Sequence, residues 1–385
     1  MSAEQPLVAR MQGFGTTIFA EMSALAVTTG SVNLGQGFPD TDGPPELLQA
    51  AVDAIRDGTH NQYPPGPGIP ELRQAIAQHQ QRFYGLEYDP DAEVLVTAGA
   101  TEAIAGALLG LVEPGDEVVT FEPYYDSYAA CIALAGAHRK VVTLRPDHDR
   151  WIFDLDQLRA AITPKARVIL LNTPHNPTGK VFDRVELQLI ADLAIEHDLL
   201  VVTDEVYEHL TFEGTHIPIA SLPGMRERTV TISSAGKTFS VTGWKIGWVT
   251  APPALTAAVR TVKQFLTYVN GGPFQPAVAH GLALPDGYYE GIAVQLRHQR
   301  DLLCDGLAGL GYDVIRPQAT YFATVDVHTD GVEFCRNLPM DKRVVTIPSS
   351  VFYDSSAGDN YVRLAFCKRP EVLDEALIRL KGASS

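Results

Sequence analysis

Short runs of apolar, mostly β-branched residues alternate with longer amphipathic runs between about residues 90 and 250. Several of the short runs are apolar at nearly every position, which is typical of strands buried on both faces of a parallel sheet. The alternation therefore predicts a doubly wound α/β fold with a mainly parallel, seven-stranded sheet. The predicted strands are Val94–Thr97, Glu117–Phe121, Val141–Leu144, Arg167–Leu171, Leu199–Thr203, Thr229–Ser233 and Ile246–Thr250.

Helices are predicted between the strands, and several carry recognisable end signals. Arg184–His197 follows Asp183, a residue type that caps helix N-termini. An earlier helix, Pro70–Tyr84, has proline in its first turn and Gly85 just past its end. A further helix is predicted at Thr101–Leu111.

The pattern changes after about residue 285 and predicts a smaller α+β domain. Its predicted elements are the helix Tyr289–Leu310, the apolar alternations Tyr321–Val327, Val344–Ile347 and Tyr361–Phe366, and the helix Pro370–Leu380. We expect residues 1–40 to form an N-terminal arm and part of the small domain. Residues 41–285 would form the large domain, and residues 286–385 the small C-terminal domain.

Composition excludes some classes of function. The formal charge of −16, from 30 basic and 46 acidic residues, argues against nucleic acid as the main partner. No apolar stretch approaches the ~20 residues of a membrane span, so no membrane partner is expected. The four cysteines are widely scattered and no histidine pair has ligand spacing. These features predict a cytoplasmic protein with free thiols and no metal site.

Candidate chemistry concentrates where the predicted strands end, and ligands of open parallel sheets bind at that edge. Gly99-Ala100-Thr101 follows the first strand and opens a helix, an arrangement that binds anions such as phosphate. An ordinary tight turn is the alternative interpretation. Tyr125 follows the second strand and could stack on a planar ring, although aromatic residues at strand ends are more often core.

Polar residues also follow the predicted strands Arg167–Leu171 and Leu199–Thr203. Asn176 lies in an Asn-Pro-x-Gly segment, which is also a turn signal. Asp204 ends an apolar strand, and a buried carboxylate needs a partner. A helix N-cap is the alternative role for Asp204. Tyr207 follows three residues later and could donate its hydroxyl to a ring oxygen.

Lys237 lies among small residues directly after the sixth predicted strand. Ser234 and Lys245, on either side of it, are donors suited to a phosphate group. Taken alone, Lys237 could be an ordinary surface lysine. Together with Asp204 and Asn176 on neighbouring strand ends, it indicates a lysine that forms a Schiff base with pyridoxal 5′-phosphate (PLP).

The chain resembles the class I/II aminotransferases of the fold-type I PLP enzymes along essentially its whole length. Residues 32–40, 61–63 and 242–245 place it near the kynurenine/glutamine and methionine aminotransferase branch. Within that branch, residues 63–68, 203–210 and 366–369 most resemble actinobacterial N-succinyldiaminopimelate aminotransferases. The resemblance implies transfer of an amino group between an amino acid and 2-oxoglutarate.

The resemblance also implies roles for individual residues. Lys237 would carry PLP and shuttle protons, Asp204 would pair with the pyridine nitrogen, and Tyr125 would stack on the ring. The ring oxygen would be held by Asn176 and Tyr207, and the phosphate by Ala100, Thr101, Ser234 and Lys245. Most class I members have arginine at the position of Lys245, and the kynurenine-type branch tolerates lysine.

For the substrate, the resemblance implies that Gly35, Asn176 and Arg363 hold the α-carboxylate. Arg363 alone would also fit a plain surface arginine, because Val362 and Leu364 point to the opposite face of its strand. Tyr63 would reach into the site of a neighbouring subunit, so the resemblance implies a homodimer.

The choice of amino donor stays open at this point. A donor with a second acidic end, such as N-succinyldiaminopimelate, would want an extra cation, and the sequence does not place one. Residues 263–268 could line the pocket, but a helical core explains them equally well. Kynurenine, glutamine or methionine are alternative donors, and a cysteine-conjugate β-lyase of the same fold is an alternative enzyme. A non-catalytic regulator would normally carry a basic DNA-binding module, which this chain lacks the charge to provide.

Overall fold

The computed structural model describes residues 7–15, 18–148 and 150–382. The helices are α1 (Ile18–Thr29), α2 (Pro45–Asp57), α3 (Pro70–Tyr84), α4 (Gly99–Leu111), α5 (Asp126–Leu134), α6 (Leu155–Ala161), α7 (Arg184–Glu196), α8 (Ala235–Thr238), α9 (Pro253–Leu266), α10 (Phe274–Leu282), α11 (Asp286–Gly309), α12 (Gly331–Asp341) and α13 (Pro370–Lys381). The strands are β1 (Val32–Asn33), β2 (Val94–Thr97), β3 (Glu117–Glu122), β4 (His138–Thr143), β5 (Arg145–Asp147), β6 (Arg150–Ile152), β7 (Ala166–Asn172), β8 (Leu200–Asp204), β9 (Thr229–Ser234), β10 (Gly247–Thr250), β11 (Asp313–Ile315), β12 (Phe322–Asp326), β13 (Val344–Val345), β14 (Ile347–Pro348) and β15 (Tyr361–Ala365).

All seven predicted strands are present, and they form one mainly parallel sheet. Its order is β2-β10-β9-β8-β7-β3-β4, and β10 is antiparallel to both of its neighbours. The other pairs are parallel. The carboxyl ends of β3, β7, β8 and β9 therefore meet at one edge, where the amino end of β10 also lies.

Helices cover both faces of this sheet, as the nearly continuous apolar strands predict. Val168 and Leu170 of β7 pack into a core with α4, α5 and α9. The alternate residues Ile169 and Leu171 pack on the opposite face against α6 and α7. This alternation confirms the doubly wound arrangement, because each strand contributes side chains to two separate layers.

The helix end signals act as the sequence indicates. Helix α3 has the predicted bounds and ends at Gly85, whose positive φ of 67° favours glycine. Helix α7 begins after Asp183, which accepts a hydrogen bond from the backbone of Glu186, and the Glu186 side chain bonds back to Asp183. This reciprocal pair satisfies two backbone donors that the start of the helix leaves free.

A second, antiparallel sheet of order β11-β12-β15-β14 lies towards the C-terminus. The N-terminal segment packs against it, because α1 contacts β14, and β1 pairs with β13 in a separate two-stranded sheet. Residues 1–6 and 383–385 of the predicted domains lie outside the described residues. The domain boundaries near residues 40 and 285 stay a prediction.

None of the described helices is long and apolar enough to cross a membrane. The four cysteines are free and buried: Cys131, Cys304, Cys335 and Cys367.

Candidate active site

A cavity of about 490 Å³ lies where the carboxyl edge of the large sheet faces the small antiparallel sheet. Ten of the twelve site residues predicted from the sequence line this cavity. They are Ala100, Thr101, Tyr125, Asn176, Asp204, Tyr207, Ser234, Lys237, Lys245 and Arg363. The structure thus brings together residues that are far apart in the chain.

Asp204, the last residue of β8, is buried and receives two hydrogen bonds. The Tyr128 hydroxyl donates to its Oδ2 atom at 2.6 Å, and the backbone N–H of Val206 donates to Oδ1 at 3.3 Å. Burial nevertheless raises the pKa of Asp204 above its ordinary value. No helix begins at this residue, so the helix N-cap interpretation is wrong. The carboxylate is poised for a cationic partner in the cavity.

The sequence reading missed Tyr128. It lies in α5, one turn after Tyr125, and the two rings meet edge-on with centroids 5.8 Å apart. The spacing of three residues on one helix was a usable signal, because such residues share a face. The sequence pattern did not identify Asp204 as the hydrogen-bond partner of Tyr128.

The strand next to Asp204 contributes a pair of asparagines. Asn172, at the end of β7, donates from Nδ2 to the carbonyl oxygen of Asp204 at 2.8 Å. The Oδ1 atom of Asn172 accepts the backbone N–H of Asn176 at 2.7 Å. Asn172 therefore fixes the loop that carries Asn176 to the edge of β8.

Arg363, on β15, reaches the cavity from the small sheet. Its guanidinium donates to Oδ1 of Asn176 at 3.3 Å and to the carbonyl oxygen of Gly35 at 3.0 Å. It lies 4.1 Å from the ring centre of Phe322 and 4.9 Å from that of Phe352. With 2% of its surface exposed, it is not a surface arginine, and that alternative is wrong.

The charge of Arg363 is not fully compensated. Burial lowers its pKa to about 10, and its buried Nε atom has no hydrogen-bond partner among the described residues. A buried donor without an acceptor is costly in free energy. A ligand carboxylate, which accepts the planar fork of guanidinium donors, fits this deficit.

Lys237, in the short helix α8 after β9, is half-buried at the cavity wall. Its Nζ atom lies 2.7 Å from the hydroxyl oxygen of Tyr321, and burial lowers its pKa to about 8. A larger share of this amine is neutral near pH 8 than in an exposed lysine. The sequence analysis did not identify Tyr321, which lies just before β12.

The start of α4 forms a small anion site with Lys245. Gly99 has a positive φ of 74°, and a Cβ atom built there would lie 3.2 Å from the Nζ of Lys245. The ammonium group therefore lies over the first turn of α4, whose N–H groups are free to bind a ligand. A Cβ on Gly247 would lie 2.5 Å from the carbonyl carbon of Gly99, so glycine is required for this close approach.

Two predicted site residues do not line the cavity. Gly35 contacts the site through Arg363: its carbonyl oxygen accepts a hydrogen bond from the Arg363 guanidinium. Tyr63 is 81% exposed, and its ring meets that of Tyr268 edge-on. Lys263 also lies elsewhere: its ammonium group donates to the carbonyl oxygens of Gly66 and Tyr268, so this segment does not line the pocket.

Within the described residues, one group of side chains has the composition of a metal site: His79, Glu208 and His209, with ligand atoms within 4.8 Å of one another. The Nε2 atoms of the two histidines are 2.7 Å apart, which is the distance of a hydrogen bond. Burial lowers the pKa of His79 to about 3, and it also lowers the pKa of His209 well below its ordinary value. The expectation that the protein has no metal site stays a prediction.

The cavity residues fit PLP. The start of α4 with Lys245 suits its phosphate, the buried Asp204 suits its ring nitrogen, and Lys237 suits its aldehyde carbon. Arg363 lines the same cavity and has an Nε atom without a partner among the described residues, so it suits a substrate carboxylate.

Comparison with known proteins agrees with this fit. The family model described as aminotransferase class I and II matches residues 29–380. The probable N-succinyldiaminopimelate aminotransferase of Mycobacterium tuberculosis is 52% identical over 97% of both chains. A solved N-succinyldiaminopimelate aminotransferase from M. tuberculosis superposes with a TM-score of 0.96 at 53% identity, covering 97% of this chain and 99% of the other.

A methionine aminotransferase from Escherichia coli is 40% identical over 98% of both chains. The kynurenine–oxoglutarate transaminase 3 of Rattus norvegicus is 38% identical over 95% of this chain and 88% of its own. These similarities confirm the fold and the branch expected from the sequence. The chain belongs to the class I and II aminotransferases, and it is a PLP-dependent enzyme of fold type I.

Proposed function

We propose that this enzyme moves the amino group between N-succinyldiaminopimelate and 2-oxoglutarate in lysine biosynthesis. The observation that carries the proposal is the 52% identity, over 97% of both chains, to a protein named for that reaction. The other relatives named above, at 40% and 38% identity, act by their names on methionine and kynurenine.

The residues that line the cavity have different proposed roles toward the cofactor. When bound, PLP supplies an electron sink for the electron pair left when the substrate loses its Cα proton. Asp204 holds the proton on the ring nitrogen, because a buried carboxylate stabilises a cation beside it. The donors Ala100, Thr101, Ser234 and Lys245 bind the phosphate group, and Asn176 and Tyr207 bind the ring oxygen. Tyr125 covers one face of the ring.

Two basic side chains, Arg363 and Lys237, act on the substrate. Arg363 binds the α-carboxylate through donors that its protein partners leave free, and so it orients the Cα–H bond. Gly35 and Asn176 hold Arg363 and complete this subsite. The amine of Lys237 takes the Cα proton and delivers it to the cofactor side, and its lowered pKa of about 8 keeps it partly neutral for this task.

A second candidate donor class is favoured by the lining of the cavity. Within the described residues, the lysine and arginine side chains that line the cavity are Lys237, Lys245 and Arg363. Each of them already has a proposed role. Phe19, Phe38 and Phe322 supply apolar surface instead. This lining suits a methionine or kynurenine side chain, so a donor of that class is the alternative.

We also propose that the enzyme is a homodimer in the cytoplasm. Tyr63, Phe265 and Leu266 are apolar and exposed, and Tyr63 lies outside the cavity of its own chain. A second subunit would cover this surface and receive Tyr63 at its site. Four buried free thiols suit a reducing compartment, which cell fractionation would test.

The donor assignment predicts a ranking of kcat/KM. With 2-oxoglutarate as acceptor, N-succinyldiaminopimelate should exceed methionine, kynurenine and glutamine by about tenfold or more, because only a matched side chain adds transition-state binding. Glutamate formation measures the rate. A higher kcat/KM for methionine or kynurenine would reject the proposed donor. Pyruvate and ammonia from a cysteine conjugate, without an acceptor, would identify a β-lyase.

The role of Asp204 predicts a defect in proton abstraction. Asp204→Asn keeps the shape and the contact with Tyr128 but removes the charge, so exchange of the substrate Cα hydrogen with solvent should slow at least about 100-fold. Circular dichroism checks that the fold is intact. Exchange at the wild-type rate would refute the electron-sink role of this carboxylate.

The close approach at the start of α4 predicts that Gly247→Ala weakens PLP binding. The new methyl group would overlap the backbone of Gly99 and Ala100, and displacement of this turn should lower the affinity about tenfold or more. Gly243→Ala is the matched control, because its Cβ meets no atom within 4 Å. Titration of each apoenzyme with PLP measures the effect. Equal affinities of the two variants would contradict the phosphate site.

The dimer proposal predicts a solution mass of two chains by light scattering. It also predicts that Tyr63→Ala lowers PLP affinity, because this side chain would reach the site of the neighbouring subunit. The mass should stay that of two chains, because one side chain is a small part of an interface. A monomeric active enzyme would exclude the contribution of Tyr63 to a neighbouring site.

A further inference from the structure

The amine of Lys237 has a buried neighbour, Tyr321, whose hydroxyl group is hydrogen-bonded to the protein. Tyr321 donates its hydroxyl proton to the carbonyl oxygen of Gly37 at 2.7 Å. Its oxygen lies 2.7 Å from Nζ of Lys237, which is an ideal hydrogen-bond distance. The Gly37 carbonyl oxygen is also 3.5 Å from the same Nζ atom. Lys237 thus faces two oxygen acceptors on one side.

The direction of these bonds orients the amine. A phenol has one proton, and that of Tyr321 is committed to Gly37, so its oxygen accepts from Lys237. A neutral amine has two N–H bonds and one lone pair. With its N–H bonds directed at Tyr321 and Gly37, the lone pair of Lys237 is left for the cavity.

The support for this arrangement is rigid. A Cβ atom on Gly37 would lie 2.6 Å from the ring of Phe322, so the backbone at residue 37 packs directly on the start of β12. Tyr321 precedes Phe322, is buried, and meets the Tyr207 ring edge-on at 5.3 Å. The hydroxyl and the carbonyl therefore keep a fixed spacing.

We propose that Tyr321 is a positioning residue for Lys237. Whenever the amine of Lys237 is free of the cofactor, the Tyr321 hydroxyl and the Gly37 carbonyl hold its N–H bonds and aim its lone pair at the substrate. This inference rests on the proposed role of Lys237. It adds a residue that acts through Lys237 and lies directly before β12 of the small sheet, whereas the lysine lies in α8 after β9.

The hydroxyl also affects the protonation of Lys237. Burial lowers the pKa of this amine, and an oxygen that accepts from the ammonium form counteracts the burial. Removal of the oxygen should therefore lower the pKa of Lys237 further. The charged and titratable groups that face Lys237 are Asp204, Cys367, Arg363 and Lys245, together with Tyr207 and Tyr321. A Tyr321→Phe variant keeps all the other side chains, and it also removes the hydrogen bond between the hydroxyls of Tyr321 and Tyr207.

The first measurement is the pKa of Lys237 in the apoenzyme. Competitive labelling with acetic anhydride across a pH series, read by mass spectrometry, gives the pKa of Lys237 without cofactor or activity. In Tyr321→Phe this pKa should fall by about one unit. In the PLP-loaded enzyme, kcat should fall about tenfold with little change in KM, because the lone pair acts in the chemical step.

Tyr289→Phe is the matched control. Its hydroxyl is also buried and donates to backbone carbonyl oxygens, those of Gly281 and Leu282, but it does not line the cavity. It should leave the Lys237 pKa and kcat unchanged. An unchanged Lys237 pKa in Tyr321→Phe, or an equal shift in Tyr289→Phe, would overturn the proposal. Failure of the proposed role of Lys237 would show differently, as a Lys237→Ala protein that still attaches PLP covalently.

Discussion

The site depends on the burial of one carboxylate, that of Asp204 at the end of β8. Two hydrogen bonds reach it from the residues that the structure describes, and burial still raises its pKa. An unpaired buried charge is costly, so this position is stable as a carboxylate only beside a cation. A protonated ring nitrogen of bound PLP would supply that cation, and the same pairing would give the ring its capacity to accept electrons. One constraint therefore serves both cofactor binding and chemistry.

Strand order places the other groups around that carboxylate. Asn172 pairs in register with Asp204 across β7 and β8, and β9, on the other side of β8, leads to Lys237. Lys245 reaches the same edge for a different reason. It precedes β10, and because β10 runs antiparallel, its amino end lies beside the carboxyl ends of β2 and β9. The antiparallel strand thus brings the ammonium group to the start of α4.

The sequence was sufficient for the large sheet and for most of the cavity. Buried parallel strands have a strong apolar signal, and their carboxyl ends mark the ligand edge without further information. Contacts between distant elements were not predictable. The Tyr128–Asp204 bond joins a helix to a strand, and the Tyr321–Lys237 bond joins the residue before β12 to helix α8. Neither periodicity nor spacing encodes such pairs, because they arise when separately folded layers pack together. The burial of Arg363 depends in the same way on the packing of β15 against the large domain.

The most direct measurement identifies the lysine that carries the cofactor. The PLP-loaded enzyme would be reduced with borohydride, digested, and sequenced by mass spectrometry to locate the modified side chain. The account predicts modification of Lys237 alone, because its half-buried amine lines the cavity together with Asp204 and has a pKa lowered to about 8. Modification of Lys245, or of any other lysine with Lys237 left free, would contradict the assignment of this cavity.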